Sequence, residues 1–129
     1  MAGARPAGVV LVVDDDPDIR DMIGQALELE GWRVVGAANG EEALRVAREG
    51  PRPDVILLDL MMPVMNGWEF LDDQRRDERL AAIPVVLISG DERLKEKAAK
   101  ARVAGFLKKP MDLMELLDAV QRHGGAAWS

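Results

Sequence analysis

Three carboxylates, one hydroxyl and one ammonium stand at the ends of apolar runs. Asp14 and Asp15 follow the first run, Asp59 the third, Ser89 the fourth and Lys109 the fifth. Carboxylates that converge repel: at about 5 Å and an effective dielectric of about 20, one pair costs on the order of 3 kcal/mol. A divalent cation and a lysine ammonium offset that repulsion. Mg2+ takes oxygen ligands, keeps several waters, and needs only one or two carboxylates besides phosphate oxygens. An aspartate that ends a buried strand is partly desolvated and rigidly held, and it can attack phosphorus to give an aspartyl phosphate. The set points to one cleft suited to Mg2+ and a phosphoryl group.

Taken singly, each residue also has a plainer reading. Three consecutive aspartates can simply stop a strand and start a helix, and Asp16 before Pro17 fits a helix cap. Ser89 lies three residues before Glu92, a capping-box spacing, as well as where a hydroxyl could donate to a phosphoryl oxygen. Asn66 reads as a cap rather than a catalytic group. Strand alternation puts Lys108 and Lys109 on opposite sides, and we assign Lys108 to solvent and Lys109 to phosphate. His123, the only histidine, reads as a surface residue and rules out a multi-histidine metal site.

The elements that must position these groups are legible as periodicity. The apolar runs are Val9–Val13, Arg33–Ala37, Val55–Leu58, Val85–Ile88 and Gly105–Leu107. The first, third and fourth are continuous and rich in Val, Ile and Leu, as strands buried on both faces are. Helical patterns lie between. The first presents Ile19, Met22, Ile23, Ala26 and Leu27 and ends at Gly31. The second follows Asn39 with Glu42 three residues on, and closes at Gly50 and Pro51. The third follows Asn66 with Glu69 at the same offset, after a turn bracketed by Pro63 and Gly67, and carries Phe70 and Leu71. The fourth spans Glu92 to Val103, with a small apolar face of Leu94, Ala98 and Ala101. The fifth starts at Asp112 and buries Leu113, Leu116, Leu117 and Val120. Fivefold β-α alternation predicts an α/β fold: a doubly wound, five-stranded parallel sheet with right-handed crossovers and helices on both faces. Ligands in such sheets bind beyond the carboxyl ends of the strands, where the polar set sits.

Composition bounds the rest. A chain of 129 residues with 48% apolar content is one domain with a core of its own. Without cysteine there is no disulfide or thiolate zinc site, and a reducing compartment is compatible. A net charge of −6 opposes direct nucleic-acid binding. No stretch approaches a membrane span or a signal-peptide core, so the expectation is a cytoplasmic protein. Residues 9–123 are expected to form the domain, with residues 1–8 and 124–129 as frayed tails; whether Trp128 packs is left open.

In combination, the motifs Val12-Val13-Asp14-Asp15-Asp16-Pro17, Leu58-Asp59-Leu60-Met61-Met62-Pro63 with Gly67, Ile88-Ser89-Gly90 and Lys108-Lys109-Pro110 resemble the receiver domain of two-component response regulators. The resemblance runs from about Val9 to Arg122. It implies the flavodoxin-like strand order 2-1-3-4-5 of the chemotaxis regulator. It implies Asp59 as phosphoacceptor, Asp14, Asp15 and Asp59 as Mg2+ ligands with the Met61 backbone carbonyl, and Ser89 and Lys109 as phosphate contacts. The Lys109–Pro110 bond is often cis in this family. Phe106 would be the aromatic switch, turning inward as Ser89 moves to the phosphoryl group, and Met61 and Asp91 would tune dephosphorylation. The donor would be a histidine kinase or histidine phosphotransfer protein. The output face would be the fourth helix, fifth strand and fifth helix, acting on a protein target. The domain would be no enzyme beyond catalysing its own phosphorylation and dephosphorylation.

Three rival readings differ in class. An aspartate-nucleophile phosphatase needs a second aspartate where Met61 stands. A flavin or nucleotide binder needs a phosphate loop where Asp14, Asp15 and Asp16 would repel it. A pseudo-receiver scaffold would dock partners without phosphorylation. A stand-alone receiver is the expectation; in a module of a longer regulator, Gly124-Gly125 would begin a linker.

Overall fold

The third apolar run, buried on both faces, forms the central strand of the sheet, with the first and fourth on either side of it. The structure, a computed structural model, describes residues 8–62 and 64–124. Pro63, Trp128 and nearly all of both expected tails lie outside the described residues. The strands are β1 (Val9–Val13), β2 (Arg33–Ala37), β3 (Val55–Asp59), β4 (Val85–Ser89) and β5 (Gly105–Lys108). They alternate with α1 (Pro17–Leu29), α2 (Gly40–Glu49), α3 (Gly67–Arg76), α4 (Leu94–Ala101) and α5 (Leu113–Gly124). All pairings are parallel, in the order β2-β1-β3-β4-β5. The expected topology is observed.

Period-two alternation splits the core into two layers. Leu11, Val13, Ile56, Leu58, Val85 and Leu87 pack with α2, α3 and α4 on one face. Val10, Val12, Val55, Leu57, Val86 and Ile88 pack with α1 and α5 on the other. Each of the three inner strands therefore presents two apolar surfaces, which is why their runs show no polar interruption.

Helix starts follow their cap residues. Asp16 accepts from the Asp18 and Ile19 amides ahead of Pro17. Asn39 accepts from the Glu42 amide. Asn66 and Glu69 form a reciprocal capping box. Gly31, at φ 92°, turns the chain out of α1 where a side chain would be strained.

Several expectations about the helices and the domain ends need correction. α4 is shorter than Glu92–Val103, and the Ser89–Glu92 capping box does not form. The Ser89 hydroxyl instead accepts from the Asp91 amide, Asp91 accepts from the Arg93 amide, and Arg102 ends the helix in the left-handed region. Met22 of α1 is 48% exposed, because Ile23 and Leu27 take the buried stripe. Leu113 is 39% exposed, and the buried face of α5 is Leu116, Ala119 and Val120, the i, i+3, i+4 set. Gly124 is not a tail residue: it ends α5, where an added Cβ would lie 2.8 Å from Val55 Cγ1 and 3.3 Å from Trp32. Gly8 too is tied down, its carbonyl accepting from the Arg33 amide. Among the described residues no helix is long and apolar enough to cross a membrane.

Candidate functional site

β3 and β4 each run one residue further than their apolar runs, so Asp59 and Ser89 are the last residues of strands. β5 ends at Lys108 and hands Lys109 to the same edge; the Lys109 amide donates to the Ser89 carbonyl at 2.9 Å. β1 delivers Asp14 and Asp15 from the neighbouring position in the sheet. One oxygen from each of Asp14, Asp15 and Asp59 lies within 4.8 Å of the others. The four expected charged groups thus meet, and Ser89 borders them, 3% exposed.

The carboxylates are held by backbone donors. Asp14 Oδ1 accepts from the Asp16 amide at 2.9 Å, and Asp59 Oδ1 accepts from the Met61 amide at 3.0 Å. Their other oxygens face one ammonium: Lys109 Nζ stands 3.4 Å from Asp14 Oδ2 and 3.4 Å from Asp59 Oδ2. Asp14 and Asp59 are 2% and 5% exposed, whereas Asp15 is open to solvent. Burial raises the Asp59 carboxyl above the ordinary carboxylate range. The Met61 amide opposes that shift, the Asp14 charge adds to it, and Lys109 opposes it. Burial would lower the Lys109 ammonium, but Asp59 and Asp14 outweigh it and hold it above the ordinary lysine value.

Three carboxylates against one ammonium leave the cleft short of positive charge. Hard oxygen donors, two of them buried and fixed by amides, fit Mg2+, which pairs one or two carboxylates with waters and phosphate oxygens.

The remaining expected residues surround this centre without their side chains bonding to it. The Met61 side chain is 76% exposed, pointing away from the core while its amide holds Asp59. Phe106 is 42% exposed on β5. The Asp91 carboxylate is committed to Lys97 of α4 and to the Arg93 amide, and Lys97 followed by Arg93 holds it below the usual carboxylate range. Lys108 is exposed, as assigned, and the Lys109–Pro110 bond is cis.

Two contributors went unnoticed in the sequence. Arg20, one turn into α1, donates from Nη1 to the Asp14 carbonyl at 2.6 Å and braces the β1 end. Its position on the inner shoulder of α1 was the available signal. Lys97 had none, because its partner lies across a helix start. Val64, in the β3–α3 loop, adopts φ 66° with 74% exposure, a strained conformation for a β-branched residue that its neighbours in sequence do not announce.

Comparison with known proteins agrees with this geometry. Residues 10–121 match the family described as the response regulator receiver domain. The probable transcriptional regulatory protein TcrX of Mycobacterium tuberculosis is 34% identical over 110 residues, covering 84% of this chain and 46% of TcrX. The chain thus spans about half the length of the first curated relatives it matches. The chemotaxis protein CheY4 of Vibrio cholerae is 34% identical with a TM-score of 0.82, covering 91% of this chain and 98% of that one. The receiver domain of sensor histidine kinase PA1611 from Pseudomonas aeruginosa was solved with a magnesium ion coordinated in its active-site cleft. It is 29% identical with a TM-score of 0.83, covering 93% of this chain and 99% of that one. With the motif order, the sheet topology and the acidic cleft in agreement, the chain belongs to the response regulator receiver domain family.

Proposed function

We propose that this protein accepts a phosphoryl group from a phosphohistidine onto Asp59 and thereby controls a protein partner. The observation that carries the reading is the convergence of Asp14, Asp15 and Asp59 within 4.8 Å beside Lys109. In the transfer, an Asp59 carboxylate oxygen forms the bond to phosphorus as the donor's N–P bond breaks. Met61's amide fixes the other side of the carboxylate, so attack needs little reorganisation. Lys109 meets the developing charge on the phosphoryl oxygens, and the Ser89 hydroxyl donates to one of them. Asp14, Asp15, Asp59 and the Met61 carbonyl would hold Mg2+, which supplies charge neutralisation when bound.

Phosphorylation adds charge and acceptor oxygens at Asp59. Ser89 turns toward them, and Phe106, which has no hydroxyl to satisfy, follows into the vacated space. The surface of α4, β5 and α5 reads out the change. The donor is a histidine kinase or histidine phosphotransfer protein, the target is a protein rather than nucleic acid, and the setting is the cytoplasm. Catalysis is limited to the domain's own phosphorylation and dephosphorylation. An apolar Met61 cannot order an attacking water, and Asp91 is engaged with Lys97, so the phosphorylated form is long-lived. Met61→Asn should speed its decay in Mg2+; an unchanged rate removes that explanation.

The experiment is incubation with acetyl phosphate and Mg2+, followed by intact mass. One added phosphoryl group is expected on the wild type and none on Asp59→Ala. No uptake by the wild type leaves a docking scaffold, and uptake by Asp59→Ala puts the acceptor elsewhere.

A further inference from the structure

α4 stands out electrostatically. From Arg93 to Arg102, five cations accompany one carboxylate, Glu96, in a chain whose net charge is −6. Beside it, α3 and α4 border a groove of about 370 Å3. Trp68 and Leu71 line it from α3, Lys97, Lys100 and Ala101 from α4, and Arg75 closes its foot by donating to the Ala101 carbonyl. Trp68 is partly exposed at the mouth. An aromatic face and a small-residue floor sit under a rim of three cations, with Asp72 the one lining carboxylate.

We infer that the α3–α4 groove docks a short acidic segment of a partner protein, in which carboxylates flank one apolar side chain. The apolar side chain lies on Trp68 and Leu71, and the carboxylates meet Lys97, Lys100 and Arg75. The length agrees: the 8 residues of α4 span about 12 Å, the reach of about four extended residues. A single-stranded nucleic acid would also find an aromatic and lysines here. Its phosphates, however, continue past so short a patch onto an acidic surface, and Asp72 interrupts the line.

Docking is linked to the phosphorylation end of the sheet. Lys97 is the ion-pair partner of Asp91, whose amide donates to the Ser89 hydroxyl. A ligand carboxylate competes with Asp91 for Lys97, so occupancy and the state of Ser89 influence each other reciprocally.

The test uses unphosphorylated, Mg2+-free full-length protein, so its outcome is separate from that of phosphate uptake. A synthetic peptide of glutamates flanking one leucine is titrated at low salt and followed by the Trp68 indole and backbone amide NMR signals. Saturable shifts confined to Trp68, Leu71, the Lys97–Ala101 stretch and the linked Ser89 and Asp91 are expected, and the glutamine counterpart should give none. Lys97→Gln/Lys100→Gln should weaken binding roughly five- to tenfold. Lys95→Gln/Arg102→Gln removes the same charge outside the groove and should leave it nearly unchanged. The inference is overturned by equal loss in both double variants, by shifts elsewhere, by an oligothymidylate binding the groove as well as the peptide does, or by self-association through this face.

Discussion

At the scale of single residues, Asp59, the proposed phosphoacceptor, carries a cost. Ionising it is harder in the fold than in the unfolded chain, with burial first and the Asp14 charge adding. Its contribution therefore favours the fold at acid pH, below the ordinary carboxylate range, and is lost as pH rises through the elevated folded-state value. At neutral pH with chelator, Asp59→Asn should stabilise by on the order of 1 kcal/mol, or roughly 3–5 °C in melting temperature. That advantage should shrink as pH is lowered and reverse in excess Mg2+, which stabilises only the form that binds it. Circular dichroism melts with chelator and with metal check both directions. Val64 is a second local cost. Val64→Gly should gain about 0.5–1 kcal/mol, the left-handed strain relieved less the glycine's extra chain entropy. The reading is a higher urea midpoint at unchanged slope. Asp59 was legible because an acid terminating four apolar residues is rare enough to mean something. Val64 was not, because a backbone angle set by loop closure leaves no mark on composition.

At the scale of elements, strand ends place the site and helix starts hold it in register. Gly67 opens α3 directly against β3: a Cβ there would stand 2.9 Å from Leu60 Cα and 3.0 Å from the Asp59 carbonyl. Neither backbone atom can yield without moving Asp59. Gly67→Ala should cost about 1–3 kcal/mol and slow phosphoryl uptake as well, read by denaturation and intact mass. α4 is the least anchored helix. Its buried residues are Leu94, Ala98 and Ala101, and its own cap residue, Arg93, gives it no side-chain capping bond. Asp91 supplies what holds its start. Asp91→Ala should raise hydrogen exchange in the first turns of α4 about fivefold, the value of a lost cap, while α5 is unchanged. The caps at Asp16, Asn39 and Asn66 were readable because each satisfies its helix locally. Glu92 misled because Ser89 gave its oxygen to the Asp91 amide, a choice made by the strand end.

At the scale of the whole molecule, the parallel sheet with helices on both faces followed from the β-α alternation and the continuous apolar runs, and the strand order from the resemblance to receiver domains. The alternation constrains a parallel sheet through its connections. What stayed hidden was how helix side chains meet or miss their neighbours: the groove beside Trp68, the brace from Arg20 to the Asp14 carbonyl, the exposed side of α1 at Met22. The two ends of the described chain have a common placement. Gly8 is bonded to the residue that opens β2, and Gly124 packs on the residue that opens β3. Both therefore leave from the pole opposite Asp59, about five strand residues or 16 Å away. A fluorophore or affinity handle grafted at Gly8 or Gly124 would start on the far side of the sheet from Asp59 and leave the carboxylate cleft clear.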